Sequence, residues 1–285
     1  MKKPYLLNIK RFLLLATSAI ASSLLTALPS EAATFATSQS ESLYLNFSHT
    51  PFSSETKAET ETLALSKEGA VLAFADAEAA FVVEPPFASS SSLSTALGET
   101  VNYLGLAEST TTVRGFFDVK ANTTFSFDFA ADLYLETEIE SPPGENARAS
   151  GDVLFTLVDT TQKRVLDFFS IMGNLNSFGK SDFIAVDYSE NVAYMDLETH
   201  YRAKLQGKKK TASAFITGFL ERYITQDSVL AVVEIKRNQA RVKAPEPSTI
   251  LALLASGVVI IFVLKGRCKE KYLESSSESK LSTEV

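Results

Sequence analysis

The stretch TTFSFDFAADLYLETEIE, residues Thr123–Glu140, decides the fold class of this chain. Phe125, Phe127 and Phe129 alternate with polar residues, and the alternation continues at odd positions with Leu133, Leu135, Thr137 and Ile139. Such a period of two places one set of side chains on the core face of a sheet and the other toward solvent. The pattern therefore predicts one long strand whose phenylalanines are buried and whose acidic residues lie on a solvated face.

Further strands are predicted on both sides of this stretch. They are Leu43–Phe47, Asp152–Asp159, Arg164–Met172, Asp182–Tyr188, Val192–Leu205, Thr211–Ile224 and Val229–Arg237. Turns rich in Gly, Asn, Asp and Pro separate them. Many short strands joined in this way are typical of an all-β fold, an antiparallel β-sandwich or jelly roll. In the last strand, alternation predicts a buried set formed by Val229, Ala231, Val233 and Ile235.

Several segments give a weaker signal. Residues 33–42 and 49–61 are rich in Ser, Thr and Glu and are predicted to be poorly ordered connections. The serine run Ala88–Glu99 is predicted to be a loop, and Ala70–Val83 fits either a helix or strands. Residues 238–244 are predicted to be a polar linker.

The first 32 residues have the layout of a secretory signal peptide. Four basic residues within the first eleven precede the apolar stretch Phe12–Leu28, and small residues lead to a predicted cleavage site after Ala32. An uncleaved N-terminal anchor is the alternative. The sequence therefore predicts that residues 33–243 form an exported domain.

The charge and the cysteine content of that domain exclude several classes of partner and site. The whole chain has a net charge of −7, and residues 33–243 hold 18 Lys and Arg against 28 Asp and Glu, which gives −10. Such a surface repels phosphates, so no nucleic acid is expected to bind. The only cysteine, Cys268, lies outside the exported domain, which therefore has no disulfide, thiolate metal site or cysteine nucleophile.

The C-terminal part, residues 244–271, contains a predicted transmembrane helix at residues 248–264. Its apolar run is at the short end of what spans a hydrocarbon core of about 30 Å. A retention cluster follows at Lys265, Arg267 and Lys269. By the positive-inside rule these cations hold the polar tail, residues 272–285, in the cytoplasm. The exported domain then lies outside, anchored in the membrane through this helix.

The motif before this helix, Pro245, Glu246 and Pro247, completes a tripartite arrangement that resembles the PEP-CTERM sorting signal. Bacteria that make extracellular polysaccharide, cyanobacteria among them, carry this signal on exported proteins. The resemblance implies an exosortase-type processing protease as a partner, with the Pro-Glu-Pro motif as its recognition element. It implies a location in the cell envelope or outside the cell. Typical members stop after the basic cluster, whereas this chain continues to Val285, and plain single-pass anchoring is the alternative.

A search for catalytic chemistry gives nothing specific. The two histidines, His49 and His200, are isolated, and no zinc-protease or serine-hydrolase motif occurs. The protein is therefore not expected to be an enzyme, and neither a cofactor nor a metal is expected. Calcium binding near Asp128, Asp132 and Asp152 is the open alternative.

The predicted role is that of a structural, adhesive or polysaccharide-contacting module of the envelope. A basic patch at a predicted hairpin suggests a contact for anionic polysaccharide. It consists of Arg202, Lys204, Lys208, Lys209 and Lys210. Two alternatives stay open for the patch and the protein: charges that only discourage edge pairing, and a secreted hydrolase acting on polysaccharide.

Overall fold

Twelve β-strands build the fold in a computed structural model that describes residues 33–140, 144–178, 181–203 and 208–244. The strands are β1 (Ala33–Leu45), β2 (Ser53–Ser66), β3 (Ala70–Val82), β4 (Phe87–Glu99), β5 (Tyr103–Val119), β6 (Thr123–Glu138), β7 (Asn146–Asp159), β8 (Arg164–Asn176), β9 (Phe183–Tyr188), β10 (Val192–Ala203), β11 (Lys209–Ile224) and β12 (Ser228–Ala244). Within these ranges there is no helix, and hence none that could cross a membrane. The all-β prediction is confirmed.

The strands form two antiparallel sheets of six strands each. Sheet I has the order β10-β11-β6-β1-β4-β3, and sheet II has the order β2-β5-β12-β7-β8-β9. Seven of the eleven connections between consecutive strands pass from one sheet to the other, which holds the two inner faces together. The chain divides into two compact units after Ala244, and every described residue belongs to the first unit.

An aromatic core fills one end of the space between the sheets. Phe125, Phe127 and Phe129 of β6 are buried as predicted. Phe129 stacks on Phe169 at 4.5 Å between ring centroids, and Phe169 stacks on Phe155 at 5.0 Å. Aromatic side chains bury more apolar area than other residues, and offset stacking adds further stabilisation. This core therefore stabilises the domain without a disulfide.

A polar layer replaces the aromatic core toward the middle of the sandwich. It contains Ser38, Ser40, Ser42, Ser90, Ser92, Ser94, Ser109, Thr111, Glu234, Lys236 and Asn238, all buried. Glu234 accepts hydrogen bonds from Ser42 and Ser90, and the ammonium of Lys236 donates to the Ser90 carbonyl at 2.7 Å. Burial lowers the pKa of Lys236, whereas Glu234 beside it opposes that effect. Buried charges persist only when they are paired and hydrogen-bonded in this way.

Three predictions about the strands are wrong, two of them because of this polar layer. Residues 33–42 and Ala88–Glu99, predicted to be a poorly ordered connection and a loop, form the central strands β1 and β4. Their serines point inward and bond with one another across the layer. Residues 238–244, predicted to be a linker, complete β12.

The buried face of β12 is also the opposite of the predicted one. Val229, Val233 and Ile235 lie on the outer face of sheet II and are only partly buried, although Ala231 is buried. The inward set starts with Leu230 and Val232 and continues with the charged residues of the polar layer.

The remaining segments give one correction, one resolved alternative and one confirmation. Residues 49–61, predicted to be a poorly ordered connection, form most of the exposed edge strand β2. Ala70–Val83 resolves as the strand β3. The strands predicted between Asp152 and Ile224 are found as β7 to β11, with bounds shifted by a few residues.

Candidate functional site

The outer face of sheet II carries a groove of about 880 Å³. Side chains from five neighbouring strands line it, in the order β5, β12, β7, β8 and β9. Adjacent strands lie about 4.8 Å apart, so the groove extends roughly 19 Å across the sheet. Its shape suits an extended ligand lying across the strands.

Two glycines on the inner face explain the depression. Gly151 of β7 and Gly173 of β8 are direct partners in the register. A Cβ atom at Gly151 would lie 2.6 Å from a methyl group of Leu133, and one at Gly173 would lie 2.7 Å from a methyl group of Leu135. The lack of side chains at both positions therefore lets sheet II approach β6 closely. The groove lies on the outer face of sheet II, directly behind this close contact with β6.

Rows of side chains cross the groove because partners in an antiparallel register point to the same face. One row consists of Glu108, Gln239, Ser150, Asn174 and Phe183. The Gln239 amide donates to Glu108 at 2.5 Å. This row thus carries an amide and a carboxylate that already orient each other.

A second row runs through Thr110, Arg237, Asp152 and Met172. Burial raises the pKa of Asp152, and the positive charge of Arg237 beside it acts in the opposite direction. In this row the positive charge of Arg237 on β12 is therefore balanced by the carboxyl group of Asp152 on β7.

Apolar side chains interrupt the polar rows. Leu154, Met172 and Phe183 are 37%, 44% and 47% exposed, respectively. They lie on three adjacent strands, β7, β8 and β9, and all three line the groove. The groove therefore offers hydrogen-bonding groups and apolar surface side by side.

Arginines occupy the next row along the strands. Arg148 of β7 and Arg241 of β12 are direct partners in the register, and both are exposed. The Nε atom of Arg148 donates to Asn174 Oδ1 at 2.9 Å, which links this row to the first one.

Two lysines of the basic hairpin predicted from the sequence form ion pairs with neighbouring carboxylates. Lys209 forms ion pairs with Glu136 and, at 3.3 Å, with Glu138. Burial lowers the pKa of Lys209, but the contacts with these two carboxylates outweigh it and raise the pKa overall. Lys210 is buried, and its ammonium donates to Asp182 at 2.6 Å and to the Asn176 carbonyl at 2.7 Å.

Only part of that patch faces solvent. Arg202 and Lys208 are exposed. Lys204 lies outside the described residues, as do the sorting motif Pro245, Glu246 and Pro247 and the retention cluster Lys265, Arg267 and Lys269. The structure thus uses two of the five predicted contact residues, Lys209 and Lys210, in internal ion pairs.

The three aspartates considered for calcium do not come together. Asp128 and Asp132 lie on β6 in sheet I, whereas Asp152 lies on β7 in sheet II. Across the described ranges, no group of three or more His, Cys, Asp and Glu side chains is arranged to hold a metal ion.

A pair of carboxyl groups stands out on the outer face of sheet I. Glu41 and Asp132 are direct partners in the register of β1 and β6, and the Glu41 backbone amide donates to Asp132 at 2.7 Å. Burial, reinforced by the charge of Glu41, raises the pKa of Asp132 to about 7. Burial also raises the pKa of Glu41. A carboxyl group with a pKa of about 7, such as that of Asp132, can take up and release a proton near neutral pH.

Sequence reasoning missed the groove, although part of its signal is visible. Arg237, Gln239 and Arg241 recur at every second position, as expected for the outer face of a strand. Their pairing with β7 could not be read from the sequence. No protein-family model, curated protein or solved structure matches the chain.

Proposed function

We propose that the described domain is a polysaccharide-binding module of an exported envelope protein and that it holds an extended glycan in the groove of sheet II. The observation that carries the proposal is the groove itself, which is lined by hydrogen-bonding groups of β5, β12, β7 and β8 together with apolar side chains of β7, β8 and β9. Binding sites for extended ligands combine a preformed concave surface with a few oriented polar groups.

The chemistry of the lining fits a sugar chain. Amide, carboxylate and guanidinium groups present two polar atoms in one plane, which matches the neighbouring hydroxyls of a sugar ring. Gln239 and Glu108 are already fixed by their mutual hydrogen bond, so little side-chain entropy is lost when a ligand binds. Leu154, Met172 and Phe183 offer apolar surface to the C–H faces of the rings.

The proposed location follows from the terminal segments. A signal peptide and a tail resembling the PEP-CTERM sorting signal would deliver the domain to the cell envelope or the outside of the cell. There it would meet extracellular polysaccharide, and its role would be adhesive or structural. An exosortase-type protease would process the Pro-Glu-Pro motif.

The test blocks the groove without altering its charge. Ser150 lies at the centre of the groove, so Ser150→Trp fills it. Ser213, a partly buried serine of β11 in sheet I, offers a matched control in Ser213→Trp. We expect full-length protein in mild detergent to be retained on polysaccharide from its host, and Ser150→Trp alone to abolish retention. Equal retention of the two variants would contradict the proposal, as would no retention of the unaltered protein.

Hydrolysis of polysaccharide is the second candidate, because Glu41 and Asp132 form an adjacent carboxyl pair. Retaining glycosidases use two neighbouring carboxyl groups, one as nucleophile and the other as general acid and base, and this register brings two carboxyl residues next to each other. Release of reducing sugar by the unaltered protein, together with its loss in Asp132→Asn, would support this candidate. No release at pH 5 to 8 would reject it.

A further inference from the structure

One end of the groove has a surplus of positive charge. Arg148 and Arg241 face each other directly across β7 and β12. Lys243, two residues farther along β12, is exposed like both arginines. Like charges directly opposite each other destabilise an antiparallel pair. Such a pair is unexpected in a domain whose net charge is −10.

No described carboxylate lies within 4.0 Å of the Arg148 or Arg241 guanidinium. The partner of Arg241 on the other side, in β5, is Leu106, and the partner of Arg148 in β8 is Asn176. The neighbouring rows differ, because Arg237 lies opposite Asp152 and Gln239 is bonded to Glu108. The uncompensated charge is therefore confined to the arginine row.

We infer that Arg148 and Arg241 form a carboxylate-binding subsite, so that the ligand of the groove is an acidic polysaccharide built from uronate sugars. This inference rests on the proposed function and names its ligand class. The observation that carries this inference is the strand register, which places the two guanidinium groups next to each other at the end of the groove. The rest of the groove suits uncharged hydroxyls.

The orientation of Arg148 favours a carboxylate. Its Nε atom is engaged with Asn174, while its terminal nitrogens make no hydrogen bond to a described residue. A guanidinium held in this way presents its terminal N–H groups for a charge-assisted contact with a carboxylate. Arg241 can supply a second contact from the opposite side. Lysine, with a single ammonium and no fork, cannot reproduce this arrangement.

The position of the arginine row also fits a chain of sugars. Residues two apart on a strand lie about 6.8 Å apart, so the row is one step from Gln239, Ser150 and Asn174. A sugar whose carboxylate is bound by the arginines can therefore continue into the groove. Its neighbour would meet the row of Gln239, Ser150 and Asn174, which crosses the strands and ends at Phe183.

The experiment compares two probes that differ only in charge. Polygalacturonate carries a carboxylate on each sugar, and its methyl ester has the same backbone without the charge. Binding of each to full-length protein in mild detergent is measured by isothermal titration at fixed ionic strength. We expect Arg148→Gln together with Arg241→Gln to weaken polygalacturonate binding about tenfold or more, because two charge-assisted contacts are lost. Binding of the methyl ester should fall much less, because the ester has no negative charge to pair with the arginines.

A second variant separates charge from geometry and guards against misfolding. Arg148→Lys with Arg241→Lys keeps the charge but removes both forks, and we expect it to lose most of the same affinity. Equal binding of the acid and the ester by the unaltered protein would overturn the inference while leaving the proposed function intact. Binding of neither probe, nor of host polysaccharide, would overturn both. Full affinity in the lysine variant would also overturn the bidentate subsite.

Discussion

The basic hairpin of β10–β11 and the arginine row of β7–β12 show how differently the same charge can be used. Arg202, Lys208, Lys209 and Lys210 are close in sequence, but Lys209 and Lys210 are held in ion pairs with described carboxylates. Arg148 and Arg241 are far apart in sequence, yet the register places them side by side without a carboxylate partner. Whether a cation can serve a ligand thus depends on its structural neighbours and not on the local density of basic residues.

The largest effect is expected at Lys210. In Lys210→Met, Asp182 stays buried without its counter-charge, and breaking a buried pair costs about 3 kcal/mol. The free energy of unfolding from urea titration should fall by that amount. Lys208→Met, at an exposed position of the same hairpin, should change it by less than about 0.5 kcal/mol.

The double variant Lys210→Met with Asp182→Asn sharpens this test. It removes both charges, so part of the lost stability should return. Two outcomes would show that Lys210 has no internal role: no loss in Lys210→Met, or a double variant no better than the single one.

The next effect is expected at the base of the groove. An added methyl group in Gly151→Ala would lie 2.5 Å from Asn238 Oδ1 and 2.6 Å from a Leu133 methyl group. Overpacking of this kind costs about 1–3 kcal/mol and should push sheet II outward, so binding and stability should fall together. The control is Ser150→Ala on the outer face, which should leave stability nearly unchanged. A fully stable Gly151→Ala variant with normal binding would contradict the account of the groove.

A pH-dependent effect is expected at the Glu41–Asp132 pair of sheet I. The folded pKa of Asp132, about 7, exceeds its ordinary value of 3.8, so the folded state binds more protons between these values. Stability contributed by Asp132 should therefore decrease as the pH rises from about 4 to 7. Asp132→Asn should remove this part of the pH dependence, as measured by thermal unfolding at several pH values. Identical pH profiles of the variant and the unaltered protein would show that Asp132 titrates normally.

The sequence predicts the aromatic part of the fold well and the polar part poorly. Phe125, Phe127 and Phe129 are predicted correctly because large apolar side chains at alternate positions have only one favourable face. The serine-rich sequences of β1 and β4 predict connections instead of strands, because polar residues are rarely found inside a sandwich. Their burial is favourable only because Glu234, Lys236 and Asn238 of β12 bond to them.

The inner face of β12 is nevertheless visible in the sequence. Glu234, Lys236 and Asn238 continue the alternation that begins with Leu230 and Val232. The arginine row could not be found in this way, because its two members are brought together by strand order and register. These depend on contacts far apart in the chain.

The most direct test compares two variants of equal charge. Arg148→Gln with Arg241→Gln removes two positive charges at the end of the groove, and Arg202→Gln with Lys208→Gln removes two from the hairpin. Both are titrated with polygalacturonate at one ionic strength, so that screening is identical. We predict that the groove variant binds about tenfold more weakly than the unaltered protein, whereas the hairpin variant keeps its affinity. An equal or larger loss in the hairpin variant would contradict the central claim that the groove of sheet II is the binding site.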